Sequence, residues 1–290
     1  MSELLERLTP HLLPHRRLMV AYSGGVDSTL VAAAAMRVLG AGDVLAVLGD
    51  SPSLPRRELE AARSTASVLG LPLEVVQPNE QADAGYIANA GDRCYFCKSH
   101  LYGVLQDAAR RLGFATIANG ANVDDAGDHR PGMRAADEAA VVSPLLDAGF
   151  TKAEVRELAA SLALPNRDKP AAACLASRIP YGTEVTPQRL ARVEAAEDGL
   201  HGLGFRGFRV RYHGDVARLE VPLNQMVRLM NPATRNAAVA AVRAAGFTYV
   251  AVDLEGFRSG SGNAVLTVSA NTEAGTPVKP TMDGARLPLL

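Results

Sequence analysis

The chain has almost no net charge, with 30 Lys and Arg against 31 Asp and Glu among 290 residues. It therefore lacks the broad basic field that holds proteins on nucleic acid or anionic lipid, and any anion site must be local. It also lacks a run of about twenty apolar residues, the length a membrane-spanning helix needs. The opening stretch, MSELLERLTPHLLPHRR, is an amphipathic helix pattern without a small-residue cleavage site. A soluble, cytoplasmic protein is expected. Cysteine is scarce, occurring only as Cys94, Cys97 and Cys174. An odd, sparse set argues against a disulfide framework and toward metal or thiol chemistry. The six histidines show no ligand spacing, no internal repeat is visible, and no Walker A loop with its Lys-Ser/Thr ending occurs.

The first half alternates short apolar runs with helical stretches, as a parallel sheet wrapped by helices does. Apolar runs at 18–22, 44–48, 73–77 and 115–119 are expected strands; 27–39, 54–70 and 94–112 are expected helices. Thr151-x-x-Glu154 reads as a capping box opening a helix to about Leu162, with Pro165 beyond it. After Lys169-Pro170 the pattern becomes α+β. A helix is expected at 186–203, strands at 205–212 and 216–221, one long helix at 223–245 and a strand at 248–254. The expected organisation is an α/β domain over 1–168, a smaller α+β domain over 169–270, and a flexible tail over 271–290 rich in Thr, Gly and Pro.

Between the first strand and its helix stands Ser23-Gly24-Gly25-Val26-Asp27-Ser28. Glycines let the backbone turn tightly and aim N–H groups and the helix dipole at an anion. Ser23 and Ser28 add hydroxyl donors, which makes a phosphate cradle. Asn122, Asp124 and Asp125 lie just beyond the fourth strand, at the carboxyl end of the sheet where such folds bind ligands. Asx-rich loops also serve simply to turn the chain.

Cys94 and Cys97 sit about one helical turn apart, beside Arg93 and Lys98, a setting that favours thiolate. A redox pair, a structural zinc site and a three-thiolate site completed by Cys174 all remain open on spacing alone; zinc would need a fourth ligand, and no second CxxC exists. Cys174 alone could equally be a small buried apolar residue. Arg209 and Arg211 alternate along a strand, so both face one side and could hold a phosphate. Arg178 and Arg258 are further candidates, and Glu197, Asp215 and Glu220 could serve as acid or base groups.

The SGGVDS string resembles the PP-loop of the ATP pyrophosphatase superfamily, whose fold is an adenine nucleotide alpha hydrolase-like parallel sheet. That implies cleavage of ATP between its α and β phosphates, transfer of AMP to a substrate oxygen, and Mg2+ assistance. The strings DRCYFCKSHLY, GANVDDAGDHRPGMRAA, SPLLDAGFTKAEVRELA, DKPAAACLASRIPYGTEVT, HGDVARLEV and GFRSGSGN resemble, more narrowly, the ATP-dependent sacrificial sulfur transferases, the LarE family. The resemblance implies that ATP and Mg2+ activate the carboxylates of a pyridinium dicarboxylate mononucleotide, which become thiocarboxylates for the nickel-pincer cofactor of lactate racemase. It implies ATP contacts from Ser23, Gly24, Gly25, Asp27, Ser28, Asn122 and Asp124, with Asp27 also catalytic. Arg178, Arg209 and Arg211 fall on the substrate side. Cys174 matches the cysteine whose sulfur is sacrificed in single-cysteine members. With Cys94 and Cys97 also present, the resemblance implies a 4Fe-4S cluster held by the three thiolates, leaving one iron for a transferable sulfide. A homo-oligomer of hexameric order, partner enzymes of the same cofactor synthesis, and no nucleic acid or membrane partner complete the expectation. Arg167 and Gly262 depart from the family pattern, where a tryptophan and a bulkier apolar residue are expected. An ammonia-using PP-loop ligase of the NAD or GMP synthetase kind is the alternative, but it has no use for three cysteines. A tRNA-thiolating enzyme is another, disfavoured by the neutral charge and the lack of an RNA-binding module.

Overall fold

A computed structural model of the chain describes residues 2–125, 131–258 and 260. Gly262 and the stretch 271–290 lie outside them. Helix α1 (Glu3–Leu8) leads into β1 (Leu18–Tyr22), whose residues are almost wholly buried. There follow α2 (Val26–Leu39), β2 (Val44–Gly49), α3 (Arg56–Leu69) and β3 (Leu73–Val76). Next come α4 (Ala84–Ala88), α5 (Arg93–Leu112), β4 (Thr116–Ala118), α6 (Pro131–Glu138), α7 (Pro144–Asp147) and α8 (Lys152–Ser161). Their four strands form one parallel sheet in the order β3-β2-β1-β4.

The order reverses beside β1, so the carboxyl ends of β1 and β4 open a crevice, the place where such sheets bind ligands. One face of the sheet packs on α2, α3 and α8 through residues such as Leu30, Val31, Ala62 and Leu158. The other face packs on α5 and α6 through Met19, Val47, Leu105 and Ala135. Parallel strands covered on both sides read as unbroken apolar runs, as Leu18 to Tyr22 does.

The second region contains α9 (Pro187–Gly202), β5 (Arg209–His213), β6 (Val216–Glu220), α10 (Leu223–Met230), α11 (Pro232–Ala244) and β7 (Tyr249–Val252). The sheet order is β5-β6-β7, antiparallel then parallel. Its own core gathers Val193, Phe205, Val210, Leu219 and Val242, together with Tyr86, Leu175 and Ala176 from earlier in the chain. The single long helix expected at 223–245 is instead two helices. Pro232 opens the second at its first turn, and the Asn231 side chain accepts a hydrogen bond from Ala233 N–H at 3.1 Å. The capping box of α8 forms as expected, with Thr151 accepting from Glu154 N–H and Glu154 accepting from Thr151 N–H. Among the described residues no helix is long and apolar enough to cross a membrane.

Candidate active site

The phosphate loop turns between β1 and α2 with Gly24 at φ 70. A Cβ there would stand 2.4 Å from that of Ala62, so both the backbone sign and the close approach of α3 require glycine. The loop that follows β4 approaches as tightly, since a Cβ on Gly120 would lie 2.6 Å from the Ser28 nitrogen. The hydroxyls of Ser23 and Ser28 stand 3.1 Å apart, and Asn166 Nδ2 donates to Gly24 O at 3.1 Å and to Thr29 Oγ1 at 2.9 Å.

Asp27 occupies the first turn of α2 and accepts from Asn122 Nδ2 at 3.0 Å. Lys152 Nζ bridges both oxygens of Asp27, reaching Oδ1 at 2.7 Å, and its backbone N–H donates to Asp124 at 2.7 Å. Ser23, Gly24, Gly25, Asp27, Ser28, Asn122 and Asp124 thus meet at one crevice. Lys152, Asn166 and Lys169 join them, and sequence reasoning missed all three. Lys152 follows the capping Thr151 directly, so the box that was legible fixes its place. Lys169 pairs with Glu58 at 2.8 Å and donates to Gly24 O at 3.2 Å.

From Lys169 the chain runs as an exposed strap through Cys174 before the buried Leu175. Leu175 N–H is anchored on Ser53 O at 2.8 Å. Arg178 is buried; it donates to both oxygens of Glu197 at 2.9 and 3.1 Å and to the carbonyls of Ala173 and Cys174 at 2.8 and 2.9 Å. Its donors therefore hold the strap and Glu197. Arg211 is also buried, donating to Ser177 O at 2.7 Å and to Glu220 at 3.0 Å. Arg209 is different. Among the described residues it makes no hydrogen bond or ion pair, and its guanidinium lies over the Phe257 ring at 5.3 Å. Burial first, then the charges of Arg178 and Arg211, lower its pKa to about 10, against the pull of Glu197 and Glu220. Arg258 pairs with Glu255 and Arg167 with Asp168, both at exposed positions.

All three cysteines are free; Cys94 and Cys174 are exposed and Cys97 is half-buried beside the second core. The expectation that the CxxC thiols favour thiolate fails at Cys97. Burial, then the neighbouring Cys174 and Glu80, push it up to about 12, and Lys98 offsets only part. Glu80 is itself buried, and among the described residues neither of its carboxylate oxygens has a hydrogen-bond partner. The thiols share one electrostatic neighbourhood, yet among the described residues no three His, Cys, Asp or Glu are grouped to hold a metal ion.

A parallel sheet whose first strand feeds a glycine-rich loop at the switch point defines a PP-loop nucleotide-binding fold, and the NAD synthase family model matches residues 12–90. Over 255 residues, 87% of this chain and 91% of the relative, the chain is 40% identical to the pyridinium-3,5-bisthiocarboxylic acid mononucleotide synthase of Lactiplantibacillus plantarum. The chain belongs to that family, the LarE enzymes. It is also 46% identical to an uncharacterized protein of Synechocystis, slr1717, over 87% of this chain and 93% of the relative. A more distant relative is MJ0830 of Methanocaldococcus jannaschii, uncharacterized, at 26% identity over 84% of this chain and 92% of the relative.

Proposed function

We propose that the chain is an ATP-dependent sulfur transferase that activates a carboxylate of pyridinium-3,5-biscarboxylic acid mononucleotide and converts it to a thiocarboxylate for a nickel-pincer cofactor. Family membership supports sulfur transfer to a mononucleotide, and the PP-loop match supports ATP-dependent adenylation. The observation that carries the residue assignment is the strap 169–178. It touches the phosphate loop at Gly24 through Lys169, bears Cys174, and ends in the arginine network at Arg178.

In this reading Ser23, Gly24, Gly25, Ser28 and Asn122 seat the ATP phosphates, and Asp27 would hold Mg2+, which would supply charge neutralisation for the departing pyrophosphate. A substrate carboxylate oxygen attacks the α-phosphorus, pyrophosphate departs, and an acyl adenylate forms. A sulfur nucleophile then attacks the acyl carbon and AMP leaves with the oxygen. Arg209 binds the substrate phosphate, while Arg211 and Arg178 fix the strand and strap beside it.

The donor types of Cys94, Cys97 and Cys174 fit a 4Fe-4S cluster, although their sulfur atoms do not stand as a finished ligand set. Held by those three thiolates, such a cluster would supply a transferable sulfide on its open iron. The same reading divides the chain near residue 169 into an adenylating unit and a sulfur-transfer unit. It has the chain act in the cytoplasm as a homo-oligomer.

The test is an ATP-dependent thiolation assay on anaerobically reconstituted protein, read by mass spectrometry of product and chain. The expected product gains sulfur in place of oxygen, and Cys174→Ala still releases pyrophosphate but makes no thiocarboxylate. A Cys174→Ala chain that thiolates as well as the parent sinks the assignment. Amide formation with ammonia would move the chain to the ligase reading.

A further inference from the structure

Cys94 and Cys97 lie on α5 and Cys174 lies far along the chain, so any sulfur chemistry they share needs a joint between the two segments. One polar joint is present. Asn89, fully buried with φ 54, donates through Nδ2 to the carbonyls of Ile179, Pro180 and Thr183 at 3.3, 2.8 and 2.9 Å. Its own carbonyl accepts from Gly182 N–H at 3.0 Å, and the Ile87 carbonyl accepts from Val185 N–H at 2.9 Å. Its Oδ1 accepts from Arg93 Nη1, and that nitrogen also donates to Ala176 O at 3.0 Å. Arg93 is the residue before Cys94, and Ala176 follows Cys174 by two positions. One guanidinium therefore spans both thiol-bearing segments.

Arg93 is buried, and a buried guanidinium normally has a carboxylate partner. Among the described residues none pairs with it. Arg178 and Arg211, by contrast, are buried against Glu197 and Glu220. Arg93 is thus a buried cation with no carboxylate partner among the described residues, bonded to the carbonyl two positions past Cys174 and next to Cys94 in sequence.

We propose that Arg93, aimed by Asn89, is a positioning residue that locks the Cys174 strap to the CxxC helix and supplies the counter-charge for the anionic sulfur held between them. The second part rests on the sulfur-transfer reading; the lock does not.

The test uses the full metal-free chain and a bifunctional bromobimane, which fluoresces when both ends have alkylated thiols. Because Cys94 and Cys97 lie one turn apart and can be bridged to each other, the cross-link is scored by mass spectrometry as the Cys94–Cys174 peptide pair, which the parent is expected to form. Arg93→Gln is expected to lower the cross-linking rate roughly tenfold, the scale of losing a charged hydrogen bond. ATP binding and the melting temperature should stay near parental values. Arg93→Lys, which keeps the charge, should recover iron uptake on anaerobic reconstitution with iron and sulfide, whereas Arg93→Gln should not. If Arg93→Gln does not fold, Arg93→Met replaces it, since it keeps the packing of the stem and leaves the Asn89 contacts to Ile179, Pro180 and Thr183 in place. A folded Arg93→Gln chain that cross-links at the parental rate overturns the lock. Equal iron uptake by the Lys and Gln variants overturns the counter-charge. A parent that cross-links normally but takes up no iron overturns the cluster reading and leaves the lock standing.

Discussion

The phosphate crevice and the sulfur strap lie at opposite ends of one short segment, yet they are built differently. At the crevice each charge is already answered: Asp27 by Lys152, Lys169 by Glu58, and the loop carbonyl of Gly24 by Asn166. On the strap side Cys174 and Cys94 are exposed, and among the described residues Arg209 makes no ion pair and the buried Glu80 carboxylate no hydrogen bond. Under the proposed function, the difference teaches that a nucleotide would meet a crevice preorganised by the sheet, whereas sulfur chemistry would be completed by what the strap binds. Preorganised donors cost no rearrangement at the moment of reaction. In the proposed function, the cation and thiols left open would receive an anionic cargo.

The largest expected effect breaks the prepared side. Asp27→Asn removes the carboxylate that the crevice orients, and pyrophosphate release should slow by about a hundredfold or more, measured as ATP-pyrophosphate exchange. Thiol reactivity at the strap should not change. An Asp27→Asn chain that exchanges at the parental rate would show that the crevice charge is structural only.

Next comes the open side. Arg209→Ala should weaken binding of the substrate or its phosphate-bearing analogue by about tenfold to a hundredfold, read by calorimetry, while ATP affinity is kept. Loss of ATP affinity instead would erase the distinction between the two regions.

The smallest effect sharpens it. Glu154 holds the cap that places Lys152, and the backbone of Thr151, then Arg7, lower its pKa to about 2. Because the folded value is depressed, this stabilisation is present above the ordinary carboxylate value of 4.5 and fades as pH falls toward about 2. Glu154→Gln should flatten that part of the acid-unfolding curve, followed by circular dichroism, and should leave the strap untouched.

The two regions also differed in how far they could be read in advance. The loop, its strand and its helix were legible because apolar runs, glycines and a hydroxyl pair are local signals, and the capping box at Thr151 formed as written. The break at Asn231-Pro232 carried a local signal too, a capping side chain and a proline at the first helical turn, but the apolar periodicity on either side masked it. Arg178 reads in sequence as one more substrate cation; its burial against Glu197 and its grip on the strap depend on α9 packing over that segment. The raised pKa of Cys97 likewise comes from neighbours distant in sequence, since spacing at a helix start points the other way.

Sequence by itself determined the alternation of strands and helices and the phosphate loop, because each depends on residues within a turn or two of one another, and composition alone gave three thiols with no second CxxC. Tertiary structure alone decided that Lys152 answers Asp27, that Arg209 rather than Arg178 is left open, and that Arg93 and Asn89 join the two cysteine segments. Those outcomes depend on which distant groups burial brings within hydrogen-bond reach, and the desolvation that makes such pairings necessary does not exist until the chain has folded.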